Sequence, residues 1–151
     1  MTKKLNLTSI LFLVALVGST NVARGGCVEN NGMTYCGPGQ CLELNGLAYC
    51  ASDEYGHAIE TNGQVFCGAG RCTVTNGQAY CSQYSSGGII VVNGAAYTGP
   101  GACVEANGSA SCSAQPGGTC EIVNGLAVCQ GGSQTDLADL GQQCVMGQLQ
   151  E

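Results

Sequence analysis

Short runs of alternating apolar and polar residues fill most of the chain, and the dipeptide Asn-Gly divides these runs into pairs. In CLELNGLAYC, residues 41–50, Leu42, Leu44, Leu47 and Tyr49 occupy alternate positions on the two sides of the Asn-Gly. A period of two is typical of β-strands, whose successive side chains point to opposite faces. Asn-Gly favours a two-residue hairpin loop because both residues tolerate the positive φ angles of a type I′ turn. The segment therefore predicts a β-hairpin.

The same ten-residue motif, Cys-x3-Asn-Gly-x2-Tyr-Cys, recurs along the chain. Five copies keep both cysteines, and degenerate copies lie at 58–67 and 89–98. The seven turn asparagines are spaced alternately by 14 and 17 residues, so the full unit is a 31-residue double repeat with one short and one long linker. We predict an all-β fold, a tandem array of short disulfide-stapled β-hairpins that continue as a meander or stack as a solenoid.

The hairpin register predicts how the cysteines pair. The first and last motif positions face each other at a site without hydrogen bonds, where two antiparallel strands approach most closely. The copy at 89–98 lacks both cysteines together, as expected of bonded partners, whereas pairing across the short linkers would leave Cys103 without a partner. The predicted bridges are Cys27–Cys36, Cys41–Cys50, Cys72–Cys81, Cys103–Cys112 and Cys120–Cys129.

Cys67 and Cys144 remain outside this scheme, because Ala58 replaces the motif partner of Cys67 and Cys144 lies in the C-terminal tail. They can pair with each other, form bridges between molecules that cause self-association, or stay free. We favour a bridge within the chain. The hairpin repeats occupy residues 24–132, and for the tail, residues 133–151, we predict a degenerate eighth repeat or a short helix that begins at Ser133.

Residues 1–23 have the layout of a secretory signal peptide: a basic start, an uncharged apolar run over 5–17, and small residues up to Ala23. The apolar run is shorter than the roughly 20 residues that a membrane-spanning helix needs. All twelve cysteines follow this segment, and an even number of cysteines in an exported chain indicates a disulfide framework. We predict a secreted, extracellular protein without membrane insertion.

Charge and composition exclude several functions. Without the leader, two cations remain against ten acids, a net charge of −8 that disfavours nucleic acids as partners. His57 is the single histidine, and one histidine cannot build the recurrent His-rich zinc sites. A catalytic triad around His57 would require a site within a variable linker. We therefore predict no enzymatic activity, no metal and no cofactor.

The alternation assigns side chains to two faces of each hairpin. One face carries the disulfides and several glutamates, and the other carries aliphatic–aromatic pairs of the kind that stabilise sheets. The aromatic face is expected to be the core, or else a candidate binding face. Asn107 lies in a sequence for N-glycosylation within a predicted tight turn. The aromatic residues are Tyr35, Tyr49, Phe66, Tyr80 and Tyr97.

A rigid frame with linkers of different sequence suits recognition. We expect a secreted, non-enzymatic protein, in class similar to small cysteine-rich effectors, that binds an extracellular protein or polysaccharide. One alternative is a structural component of a wall, coat or matrix. The other is a repeat array that binds carbohydrate or ice.

Overall fold

The computed structural model describes residues 25–151; the predicted signal peptide lies outside this range. Every helix or strand assigned within it is a β-strand, and the first fourteen strands form seven hairpins in chain order. These strands are β1 (Cys27–Asn30), β2 (Met33–Cys36), β3 (Cys41–Leu44), β4 (Leu47–Cys50), β5 (His57–Thr61), β6 (Gln64–Gly68), β7 (Cys72–Thr75), β8 (Gln78–Cys81), β9 (Gly88–Val92), β10 (Ala95–Gly99), β11 (Cys103–Ala106), β12 (Ser109–Cys112), β13 (Cys120–Val123) and β14 (Leu126–Cys129).

The Asn-Gly turns determine the register of all seven hairpins. Each turn asparagine has φ between 50 and 52°, and the glycine after it has φ between 72 and 81°. These are the two positive φ angles of a type I′ turn. In the five complete copies the first cysteine is therefore paired with the last, as Cys27 is with Cys36. The predicted hairpins are confirmed.

All twelve cysteines are bonded in pairs within the chain. The five bridges within motifs join Cα atoms that lie 3.9–4.1 Å apart. The sixth bridge joins Cys67 to Cys144 across 77 residues, with a Cα–Cα distance of 5.2 Å. The structure thus contains the bridge that we favoured for these two cysteines, rather than free thiols or thiols that pair between molecules.

Successive hairpins stack on one another and do not pair edge to edge. Within residues 25–151 no sheet contains strands from two hairpins, so these hairpins do not form a meander. Leu42, on the aromatic face of the second hairpin, packs against the buried cluster of Ala51, Ala58 and Cys67, and the last two lie on the disulfide face of the third hairpin. The fold is therefore a solenoid-like stack in which the aromatic face of one hairpin meets the disulfide face of the next.

The linkers repeat the 31-residue period in their hydrogen bonds. The last glycine of each short linker donates its amide to the carbonyl of the residue that follows the next hairpin: Gly39 to Ala51, Gly70 to Ser82, and Gly101 to Ser113, at 2.9–3.1 Å. The first glycine of the short linker lies against the next disulfide. A Cβ atom on Gly68 would lie 2.2 Å from Cβ of Cys81, so no larger residue fits.

The C-terminal tail forms neither an eighth hairpin nor a helix, so both predictions for it were wrong. It runs back along the stack, from the sixth hairpin to the first, and we call residues 133–151 the strap. Main-chain hydrogen bonds hold it, including those from Gly141 to Ala79 at 3.0 Å and from Gly147 to Ala48 at 2.9 Å. The strap strands are β15 (Asp136–Leu137), β16 (Asp139–Leu140), β17 (Gln142–Gln143), β18 (Val145–Met146) and β19 (Gln148–Leu149).

The strap advances three residues for each hairpin. Two residues of each triplet pair with the last two motif positions, as Val145 and Met146 pair with Cys50 and Tyr49. The third residue turns inward between two hairpins. A Cβ atom on Gly147 would lie 2.9 Å from Cβ of Ala48, so this inward position requires a small residue. The extended edge of the stack is thus a better partner for the tail than a helix of its own, because it accepts a main-chain hydrogen bond at almost every step.

The core is made of small side chains and sulfur. Apart from cysteines, its buried apolar residues are alanines and a single valine. Thr98 and its partner Ile89 replace a disulfide in the fifth hairpin, and the Thr98 hydroxyl donates to the Gly88 carbonyl at 2.6 Å. Because such a core buries little apolar surface, the disulfides contribute a large part of the stability.

Candidate functional site: the aromatic row and the strap

The five aromatic residues of the candidate binding face form one row along the stack. Each lies at the ninth motif position, opposite an aliphatic residue or threonine of the neighbouring strand, as Tyr49 is opposite Leu42. All five side chains are half-buried. The aromatic side chains lie between hairpins. Phe66 of the third hairpin, for example, lies next to Gly141 of the strap, which also lies next to Ala79 of the fourth hairpin. The row combines the two roles considered from the sequence, since part of each residue packs and part is accessible.

The tyrosine hydroxyls of this row reach solvent. The Tyr35 hydroxyl contacts the Met33 sulfur at 3.9 Å, whereas those of Tyr49, Tyr80 and Tyr97 have no hydrogen-bond partner within residues 25–151. No buried side-chain oxygen or nitrogen in this part of the chain lacks a partner. The unpaired hydroxyls are therefore accessible, and they present donors and acceptors at successive levels of the stack.

The strap places a second row of side chains directly beside the aromatic row. Leu137 is paired with Tyr97, Leu140 with Tyr80, Gln143 with Phe66, Met146 with Tyr49 and Leu149 with Tyr35. The four apolar members are unusually accessible, with 65, 58, 53 and 49% of their surface exposed for Leu137, Leu140, Met146 and Leu149. We call these five strap residues the strap row. Partners directly opposite each other point to the same face, so the two rows form one surface.

Open grooves separate the levels of this surface. The groove between the second and third hairpins has a volume of about 440 Å³ and is lined by Tyr49, Phe66, Leu44 and Gln143. Another groove at the first level, of about 530 Å³, is lined by Met146, Val145 and Pro38 among others. Neighbouring levels are separated by three residues of the strap, as Gln143 at the third hairpin and Met146 at the second show.

The sequence contains a signal for the strap that motif analysis did not detect. From Asp136 to Gln150 the tail consists of five similar triplets, DLA, DLG, QQC, VMG and QLQ. The middle residue is usually large and apolar, and the third is small or cysteine in four of the five. A period of three matches neither an ordinary helix nor a single strand with alternating faces. It matches a chain that moves from one hairpin to the next every three residues.

A polar cluster holds the start of the strap to a long linker. The Tyr84 hydroxyl donates to the Asp136 carboxylate and accepts from the Gln134 side-chain amide at 2.8 Å. The hydrogen bond to Asp136 is the main cause that raises the pKa of Tyr84 above its ordinary value. In the same region Ser85 donates to Asp53 of the preceding long linker at 2.9 Å. The long linkers thus position the strap and one another.

The glutamates of the disulfide face have a local structural role. Glu43, Glu60 and Glu105 lie at the outer edge of the stack, and each carboxylate accepts the amide of the turn glycine three residues later. Glu43 accepts from Gly46 at 2.6 Å, and Glu60 from Gly63 at 2.9 Å. Such a bond satisfies an otherwise unpaired donor at each turn.

The turn asparagine Asn107 also makes a specific contact. Its side-chain amide, the group that would carry a glycan, donates to the Gly125 carbonyl of the next hairpin at 2.8 Å. Asn62 makes the same contact to Gly77 at 2.8 Å. The turn asparagines therefore link neighbouring hairpins as well as forming the turns.

His57 lies at the start of β5, opposite Gly68. Partial burial is the main cause that lowers its pKa, and the Arg71 guanidinium adds to the effect. Within residues 25–151 no group of three or more His, Cys, Asp or Glu side chains is arranged to hold a metal ion. The same range contains no helix with the length and hydropathy of a membrane span.

Comparison of this chain with protein-family models, with curated proteins and with solved structures finds no match. Functional inference therefore depends on the chemistry of the surface itself.

Proposed function

We propose that this is a secreted, non-enzymatic protein that acts by binding an extracellular protein through the combined aromatic and strap rows. The observation that supports this function is the exposure of Leu137, Leu140, Met146 and Leu149 in a single line beside the aromatic residues. Rows of exposed apolar side chains with polar groups at their margins are typical of protein interaction sites. The disulfide framework and the leader support an extracellular location.

The geometry favours an elongated partner. One apolar strap residue occurs at four of the five levels, so these side chains form a line along the length of the stack. An extended segment or an amphipathic helix lying along the strap would contact several of these side chains with one apolar face. The net charge of −8 for the mature chain favours a partner that is neutral or basic.

A carbohydrate-binding array is the less favoured alternative. Sugar rings stack on exposed aromatic faces, whereas the rings of Tyr49 and Phe66 are half-buried between hairpins. A repeated flat surface that binds ice would have no use for the large aliphatic residues of the strap row. The structural role in a wall, coat or matrix predicts insolubility instead of a soluble complex.

The test is a binding comparison with two double variants of the secreted protein. Leu140→Gln with Met146→Gln alters the strap row, and Val91→Gln with Ile122→Gln alters two apolar residues that are 38 and 53% exposed away from both rows. A partner captured from extracellular fluid is purified and titrated against each protein. In the complex the strap variant would lack two apolar side chains that become buried on binding, which predicts an affinity at least about tenfold lower. The affinity of the control variant should be unchanged.

Two results would contradict this function. Equal affinity of the two double variants for the purified partner would show that the strap row is not the binding surface. Retention of both variants on insoluble cellulose, chitin or glucan would support the carbohydrate alternative, and recovery of the native protein only in an insoluble fraction would support the structural one.

A further inference from the structure

The two ends of the stack expose complementary halves of the contact that repeats between hairpins. Inside the stack, the disulfide face of each hairpin is covered by the aromatic face of the preceding hairpin. Cys50 and Cys112 are fully buried there. At the first hairpin Cys27 is exposed, because no described hairpin precedes it. At the seventh hairpin the opposite face, with Val123 and Val128, is uncovered.

The uncovered face of the seventh hairpin is apolar. Val123, Leu126 and Val128 are 47, 66 and 57% exposed. Tyr49, which occupies the position of Val128 in the second hairpin, is half-buried. The second strand of this hairpin, β14, also has no strap strand beside it, unlike β2, β4, β6, β8 and β10. The last hairpin therefore lacks two contacts that most of the other hairpins have.

We propose that a second copy of this protein covers this end, with the Cys27–Cys36 face of its first hairpin on the Val123–Val128 face of the seventh. This arrangement continues the contact between neighbouring hairpins, which occurs six times among the described residues. The turn contact also continues: Asn124 would donate to the Gly32 carbonyl of the incoming copy, as Asn107 donates to Gly125 within the chain.

The direction of the strap fits this arrangement. The strap of each copy runs toward its own first hairpin, where the Gln150 amide donates to the Thr34 carbonyl at 2.9 Å. In the proposed assembly it therefore points to the unpaired edge of β14 in the neighbouring copy. Because the two contacting faces differ, each added copy leaves a new free end, and the assembly is an open filament and not a closed dimer.

Charge makes this assembly dependent on salt. Glu29 lies on one end and Glu121 on the other, both exposed, and each mature chain has a net charge of −8. Repulsion between like-charged copies is screened as ionic strength rises, since the screening length falls to about 3 Å at 1 M. Added salt should therefore lengthen the filaments.

The experiment measures the mass distribution of the native secreted protein by sedimentation velocity over a range of protein and salt concentrations. Val128→Glu places a charge on the seventh hairpin, and Leu137→Glu is the matched control at an equally exposed strap position away from both ends. Wild type and Leu137→Glu should form multimers that grow with salt and that separate into monomers in denaturant without reductant. Val128→Glu should need at least tenfold more protein to associate.

A mixture tests that the two ends bind each other. Thr34→Glu blocks the first hairpin and leaves the seventh free, so an equal mixture with Val128→Glu should stop at dimers, because the two blocked ends carry like charges. The proposal is wrong if the wild type stays monomeric under all these conditions, or if Val128→Glu associates as readily as the wild type. It is equally wrong if Leu137→Glu prevents association, because the strap row would then be the self-contact.

Discussion

Removing the Cys67–Cys144 bridge should release the strap and leave the hairpins folded. This bridge closes a loop of 77 residues in sequence separation, whereas each bridge within a hairpin closes one of 9. In the chain-entropy description, a loop of that length contributes about 4.5 kcal/mol to the free energy of unfolding, against about 2.7 kcal/mol for a hairpin bridge. Apart from this bridge, the strap is held by main-chain hydrogen bonds to the hairpins and by the Tyr84 cluster at its start, and it buries almost no large side chain.

The variants are Cys67→Ala with Cys144→Ala, and as a control Cys72→Ala with Cys81→Ala. Alanine suits the inward strap position, because Ala138 occupies the equivalent place six residues earlier. Hydrogen exchange should show the amides of Gly141 and Gly147 losing protection in the first variant, while hairpin amides stay protected. In the control the strap should stay protected, and denaturant unfolding should show the smaller loss of stability.

The reasoning would be refuted if strap amides in the first variant exchanged as slowly as in the wild type. It would also be refuted if the control lost more stability than the strap variant. Either result would mean that the strap is held by its main-chain contacts, with the bridge as an accessory.

Three further outcomes follow from local contacts. Gly68→Ala should lower the free energy of unfolding, measured by denaturant titration, by about 1–3 kcal/mol, because the added Cβ overlaps the Cys81 side chain. Unchanged stability would disprove the close contact. The pKa of His57 is lowered on folding, so as pH falls below the ordinary value of 6.5 the imidazole binds a proton more readily in the unfolded state. Acidification therefore lowers the free energy of unfolding, and this loss should be smaller in His57→Asn. The pKa of Tyr84 is raised on folding, so its contribution to stability is complete below pH 10.0 and is lost as pH rises through the folded value. An ultraviolet titration of tyrosinate in wild type and Tyr84→Phe should reveal this late-ionising group. An early ionisation of Tyr84 would count against the Asp136 contact.

The hairpins and their bridges could be predicted from the sequence because they are local. Two turn residues, Asn and Gly, determine the register, and the register brings cysteines nine residues apart face to face. The structure adds a second use of the same residues that no spacing predicts. The Asn62 side chain, for example, contacts the carbonyl of the next turn.

The strap and its row could not be predicted by the same reasoning. The residues that position Met146 lie about a hundred residues earlier, at Tyr49 and Cys50, and they act mainly through the backbone. A pattern with period three also resembles no regular element of a single chain, and Ser133 followed by Asp136 predicts the start of a helix instead. The glutamates were assigned to an acidic face for a similar reason, since the hydrogen bond from Gly63 to Glu60 depends on the geometry of the turn.

The most direct test of the whole account is a peptide map of the native secreted protein without reduction, combined with its intact mass. The account predicts a chain that begins after Ala23, five bridges within hairpins and a sixth between Cys67 and Cys144, with no free thiol. A retained leader would contradict secretion by the predicted route. A bond between Cys36 and Cys41, or free thiols at Cys67 and Cys144, would contradict the hairpin register or the strap.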